Sequence, residues 1–282
     1  MNVTVARHGI STEHVESGLA LLGEDLAVDL GRLRPGASLG LASVLETALV
    51  MAEAGLLLDP GGERAESREA FLTAAQAAAA LFAVAGLEDG EGRVEARIGG
   101  AVRTVGAGDS RREAHAGNWL TAFWLAAVCR EEGLLDGLAA VPVGVLRESG
   151  AVEEEYARLW VEALQAYRRQ EPEVRGKVEA LEAAAGSELA GIADREHLVK
   201  VVRPAVELFG RFVARDQAGF DAALVRALEL HREYWTADGE RAATSTGFVA
   251  LAPLAVACLA HDAGMRVEVA SEYLPVGLVT GR

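Results

Sequence analysis

Stretches rich in Ala, Leu, Glu and Arg, each long enough for several helical turns and closed by Gly, Pro or Asp, run through almost the whole chain. Such residues lose little conformational freedom in a helix, whereas Gly and Pro end one. The pattern predicts helices near residues 12–30, 38–57, 64–85, 112–132, 152–169, 173–185, 194–214, 217–236 and 247–263. A chain punctuated this way buries its apolar faces helix against helix, so the expected fold class is mostly α: an irregular multi-helix bundle or a helical-pair array. Short turns between 152 and 236 suit helical pairs of the solenoid kind, but no fixed period with matching residues recurs. Ser110 and Glu113 form an S-x-x-E capping box expected to open the fourth helix. Asp194 and Asp216 are expected N-caps, their carboxylates accepting hydrogen bonds from first-turn amides.

One segment departs from the helical pattern. RVEARIGGAVRTV, from Arg93 to Val105, alternates apolar and polar residues around Gly99-Gly100, a dipeptide that tolerates the positive φ of a two-residue turn, so one small β-hairpin is expected. An isolated hairpin is marginal in water; it must pack on helices or pair with another strand, for which Arg266–Ala270, with Val267 and Val269 alternating, is the candidate. The length, 282 residues with 51 % hydrophobic, suits a single mostly α-helical domain over 1–282. Its natural subdivision lies near 86–110, where the polar, glycine-rich GLEDGEGR connector would separate the N-terminal helices and hairpin from 111–282.

Charge narrows the partners. Lys plus Arg number 27 against 42 Asp plus Glu, a formal charge of −15, so a phosphate backbone meets net repulsion, whereas a basic protein is attracted. No nucleic acid is expected as partner. The start, MNVTVARHGISTEHVESG, lacks a basic stretch followed by an apolar run, and the expected location is cytoplasmic. The longest apolar run, Trp119 to Cys129, interrupted only by Thr121, is about half of the ~20 residues a membrane span needs and reads as a buried helix. No membrane association is expected. Cys129 and Cys258 both sit in apolar helical contexts and are expected to be free thiols.

The stretch LHREYWTAD, Leu230 to Asp238, concentrates side chains that often do chemistry. Helical spacing resolves it: Phe220, Ala223, Leu224, Ala227, Leu228, His231 and Trp235 share one face, and Glu229, Arg232 and Glu233 fall on the other. His231 is therefore expected to be a hydrogen-bonded core histidine. Trp119, Trp124, Trp160 and Trp235 are likewise expected in the core. A metal-dependent hydrolase of helical fold is an alternative reading, resting on Asp194 with His197 at i, i+3 and on the His261-Asp262 dipeptide. Transition-metal sites need three or four convergent ligands, so no metal and no cofactor is expected. Gly106-Ala107-Gly108 lacks the third glycine of a dinucleotide fingerprint, Gly176-Lys177 has no P-loop glycine before it, and no serine sits in a G-x-S-x-G elbow. The chain is not expected to be an enzyme. The acidic run Glu153-Glu154-Glu155 suits the positive end of a helix dipole.

Four blocks carry a family resemblance: HAGNWLTAFWLAAVCRE (115–131), ADREHLVKVVRPAVELFGRFV (193–213), ALELHREYWTAD (227–238) and GFVALAPLAVACLAHDAGMRVEVASEYLP (247–275). Together, over roughly 113–275, they resemble the immunity protein 49 family of bacterial polymorphic-toxin systems, and the Ala-, Arg- and Gly-rich composition is similar to that of actinobacterial proteins. The resemblance implies a mostly α cytoplasmic protein that neutralises a protein toxin by stoichiometric binding, with no catalytic residues. The acidity suits a basic, nuclease-like toxin. The expected partner-binding residues are Glu233, Asp238, Glu240 and Glu272, acidic side chains that bracket the most recognisable blocks. A helical scaffold binding some other protein is a further alternative.

Overall fold

The computed structural model describes residues 3–35, 40–87, 92–106, 110–151, 154–186 and 195–282. By their contacts the residues form two compact units, one from Thr12–Asp59 and Glu63–Val152, the other from Met1–Ser11, Pro60–Gly62 and Glu153–Arg282. The division does not coincide with the subdivision expected near 86–110, because the hairpin buries Ile98 and Val105 and stays with the helices on either side of it. The described chain starts with a two-residue strand, β1 (Val3–Thr4), that belongs to the second unit.

The first unit comprises α1 (Val15–Arg32), α2 (Gly40–Gly55), α3 (Ala65–Ala85), β2 (Arg93–Ile98), β3 (Ala101–Gly106), α4 (Ser110–Glu113), α5 (Ala116–Cys129), α6 (Glu132–Ala140) and α7 (Val143–Glu148). α3 is its axis. Ala70, Ala74, Ala77 and Ala78 are buried on it, and such small side chains let α2, α5, α6 and the hairpin approach its backbone closely. In contrast, α1 has no fully buried residue and lies against α2 as an outer helix. The run Trp119–Cys129 is the buried helix expected. Trp119 is fully buried, stacks on Phe123 with ring centroids 5.3 Å apart, and donates its indole N–H to the Leu138 carbonyl at 3.1 Å.

Two local expectations are corrected. The fourth helix is not opened by the Ser110–Glu113 box: those residues form the separate short α4. The entry to α5 is set by His115, whose Nδ1 accepts from the Asn118 amide at 3.3 Å while the Asn118 side chain donates to the Glu113 carbonyl at 2.8 Å. The hairpin does not pair with Arg266–Ala270. It packs on α3, with the Gly99 amide donating to Gln76 Oε1 at 3.1 Å and the Arg103 guanidinium donating to the carbonyls of Ile98 and Leu30. The turn itself is as the sequence dictates, Ile98 opposite Ala101 with Gly99 at φ 58° and Gly100 at φ 79°.

The two glycines give the turn a measurable signature. Gly100→Ala is expected to cost about 1–2 kcal/mol, the penalty of a left-handed L-residue. Gly99→Ala is expected to cost more, because its Cβ would lie 2.8 Å from the Leu30 side chain. Urea unfolding of the two variants checks the order, and equal costs would mean that Leu30 yields freely.

The second unit contains α8 (Glu155–Arg168), α9 (Val174–Gly186), α10 (Arg195–His197), α11 (Arg203–Val213), α12 (Gln217–Trp235), α13 (Gly239–Ala242), α14 (Leu251–Asp262), β4 (Val269–Ala270) and α15 (Val276–Thr280). Neighbours in sequence pack together, α8 on α9 and α11 on α12, and α11 also meets α9 and α14, a helical-pair arrangement. Asp216 caps α12, accepting from the Gly219 amide at 3.0 Å; Asp194 and Glu153 lie outside the described residues. The helix expected over 194–214 carries a π turn at Leu198–Val202, where the Arg203 amide reaches back five residues to the Leu198 carbonyl. Pro204 explains it: the ring has no N–H for the Lys200 carbonyl and crowds it, so the ladder widens just before the proline.

β4 pairs with β1 in parallel, Val3 opposite Val269 and Thr4 opposite Ala270. Neither cysteine forms a disulfide; Cys258 is buried, its thiol 3.5 Å from the Leu278 carbonyl. The stretch Ser245–Asp262 is apolar enough by composition to cross a membrane, yet 61 % of it is buried in the protein, and Val249–Ala250 interrupt its helical backbone.

Candidate functional site

LHREYWTAD is the end of α12, and its histidine faces inward. His231 is only 5 % exposed and donates from Nε2 to the Gly247 carbonyl at 3.1 Å, as expected of a core histidine. Burial, assisted by the nearby His8 and His197, pushes its pKa down to about 4 against the opposing pull of the Gly247 hydrogen bond, so the ring is neutral at neutral pH. Trp235 is a correction. It is half-buried rather than core, because the helix ends there, and it packs over Gly247, where any Cβ would meet its ring at 3.0 Å. Trp119, Trp124 and Trp160 are core residues as expected.

Tyr273 lies edge-on to His231, ring centroids 4.9 Å apart, and ties the start of the chain to this cluster. Its hydroxyl accepts the His8 amide at 3.2 Å and lies 2.8 Å from His8 Nδ1, while His8 Nε2 lies 3.2 Å from the Ala242 carbonyl. A carbonyl can only accept, so Nε2 carries the proton and Nδ1 accepts from the tyrosine. Burial lowers the His8 pKa and raises that of Tyr273, which keeps both neutral and the chain of bonds intact. This cluster holds α12, α13 and the start of the chain together.

The four acidic residues expected to bind a partner all fall in the second unit and are exposed, in two settings. Glu233 and Asp238 belong to a surface charge network: Lys200 Nζ lies 3.8 Å from Glu233 and 3.0 Å from Glu196, and Arg241 lies 2.7 Å from Glu196 and 3.4 Å from Asp238. Asp238 also caps α13 through the Arg241 amide at 2.8 Å. Hydrogen bonds from Arg241 and then Lys200 hold the Glu196 carboxyl below its usual range, and the same contact raises Arg241, whose guanidinium sits 4.3 Å above the Tyr234 ring. Glu240 stands on the same short helix. Glu272 lies next to Tyr273 and accepts the Arg7 amide at 3.1 Å. Sequence reasoning missed Glu196, Lys200, Arg241 and His8, whose partners lie far along the chain and leave no local pattern.

The residues of the metal reading do not converge. His197 packs edge-on against Tyr234 at 5.3 Å, and the exposed His261 pairs with its neighbour Asp262 at 3.1 Å. Asp194 lies outside the described residues, and among those described no group of three or more His, Cys, Asp or Glu could hold a metal ion. The acidic side chains around Glu196 form, with Lys200 and Arg241, a surface network of ion pairs.

Comparison with curated proteins and with solved structures gives no match. The family model described as Immunity protein 49 matches residues 59–278, so the likeness starts earlier than the blocks from 113 onward suggest and takes in α3 and the hairpin. With that match spanning most of the sequence over a mostly helical fold, the chain belongs to the Immunity protein 49 family.

Proposed function

We propose that this protein neutralises a toxin of a bacterial polymorphic-toxin system by binding it stoichiometrically in the cytoplasm. The observation that carries the reading is the family match over 59–278. The charge of −15 and the exposed Glu233, Asp238, Glu240 and Glu272 support a basic, nuclease-like toxin as the partner, drawn in by electrostatic complementarity. Glu233 and Asp238 already face Lys200 and Arg241, and Glu272 interacts with Arg7, which leaves Glu240 with the larger share of long-range attraction.

Growth rescue tests the reading. The toxin-like gene next to this one is expressed in a test host with and without the protein, and survivors are counted. Rescue that persists in a His197→Ala/His261→Ala variant is the expected result and ends the hydrolase alternative. Binding to another protein without rescue would favour the scaffold alternative. Glu233→Lys/Glu240→Lys is expected to slow association with the toxin about tenfold at low salt, with the difference shrinking at high salt as screening removes the steering. Salt-independent association rates, equal in wild type and variant, would rule out the electrostatic part.

A further inference from the structure

The two-stranded sheet β1–β4 has an open side. The Ala270 carbonyl accepts the Val5 amide at 3.0 Å, so Ala270 faces β1. Successive residues of a strand turn their amides and carbonyls to opposite edges, so Val269 presents its own to the other side, where no described residue bonds to it, and Val267, two residues earlier in the chain, likewise has no described backbone partner. A groove of about 700 Å³ lies beside β4, lined by the stretch from Gly264 to Glu272 and walled by Pro60, Leu274, Val276 and Val279. β1 contributes nothing to its lining.

The groove has the chemistry of a strand-accepting site. Val276 on its wall is 59 % exposed, the most exposed large apolar side chain among the described residues of the second unit. Its rim carries Glu268 and Glu272, with Arg266 3.5 Å from Glu268 and Arg7 interacting with Glu272, and the charge of −15 on the whole chain is what favours a cationic partner. An unpaired strand edge is a template for another chain, and a bare two-stranded sheet gains most from a third strand.

We propose that an extended segment of the toxin, alternating apolar with Lys or Arg residues, adds as a third strand beside β4. Its backbone bonds to Val267 and Val269, its apolar side chains cover Val267 and Val276, and its cations meet Glu268 and Glu272. Main-chain bonds give such a site affinity and the alternating side chains give it specificity. The choice of partner rests on the toxin-binding reading above; the groove itself can be tested without the toxin.

The probe is a capped peptide of alternating Val and Lys, titrated into the isotope-labelled full-length protein and followed by backbone amide resonances, with an alternating Val and Glu peptide as control. Amides of 265–272 and 276–280 are expected to move with the basic peptide and not with the acidic one. Val267→Pro removes an amide that has no described backbone partner, at a position where an edge strand tolerates proline, so the fold should persist while peptide binding weakens at least tenfold. Glu268→Lys/Glu272→Lys should weaken it similarly. Shifts elsewhere, absence of binding, or equal binding by Val267→Pro would overturn the proposal, as would a dimer of the full chain that Val267→Pro dissociates, since a second copy would then own the edge. In the rescue assay, full protection by Val267→Pro beside a protective wild type overturns the groove and spares neutralisation. A wild type that gives no protection counts against neutralisation, and the peptide result still decides the groove.

Discussion

Trp119→Ala is expected to destabilise the protein by about 3–5 kcal/mol, the range for removing a large aromatic side chain from a packed core. The side chain is fully buried and stacked on Phe123, in a unit whose core includes many alanines, which cannot swell to fill the space. The lost hydrogen bond matters less. The Leu138 carbonyl that accepts the indole N–H also accepts the Val141 amide at 3.1 Å, so it keeps a partner in the variant. The cost is therefore a cavity cost, and Trp119→Phe, which keeps one ring on Phe123, should recover a large part of it. Urea unfolding followed by near-ultraviolet circular dichroism reads both variants; a loss below about 1 kcal/mol for Trp119→Ala would contradict its place in the core.

Acid is expected to remove about 3 kcal/mol through His231 alone. Its pKa falls from 6.5 in the unfolded chain to about 4 in the folded one, so the unfolded state binds the proton first as the pH drops. Above pH ~6.5 both states are neutral and stability is complete; it declines as pH falls through the window, and the loss is full once the folded group titrates near 4. His8, also lowered by burial, acts in the same direction, and its bonds to Tyr273 and Ala242 lie in the same cluster. His231→Gln should keep a side-chain N–H for the Gly247 carbonyl while removing the titration. Carboxylates titrate in both proteins, so the comparison isolates the histidine: stability measured from pH 7 to 4 should fall less steeply in the variant by about 3 kcal/mol. Parallel curves would show that His231 does not titrate as its burial demands.

The helical segments were legible because each carries its own signal within a few turns. Phe220 through His231 at spacings of three and four are the buried face of α12, and the Asp216 cap and the Gly99-Gly100 turn sit where local chemistry puts them. The short helices α6 and α7 were not legible, since Gly133, Gly137 and Pro142 interrupt their segment and tertiary packing of Leu135, Leu138 and Leu146 overrides the weak propensity. The likeness to immunity proteins was likewise readable in the blocks around α5, α12 and α14, although its reach back to residue 59 was not.

What the sequence determined by itself is therefore everything that depends on near neighbours: helix, turn, cap, the inward face of His231 and the acidic balance of the surface. What only the tertiary structure decided depends on partners far apart in the chain. Val269 took β1 rather than the hairpin as its neighbour, His8 closed on Tyr273 across 265 positions, and Arg241 reached Glu196 across 45. A strand pair or a hydrogen bond across such a separation leaves no periodicity behind, because its strength comes from burial and geometry that exist only once the helices between the two ends have packed.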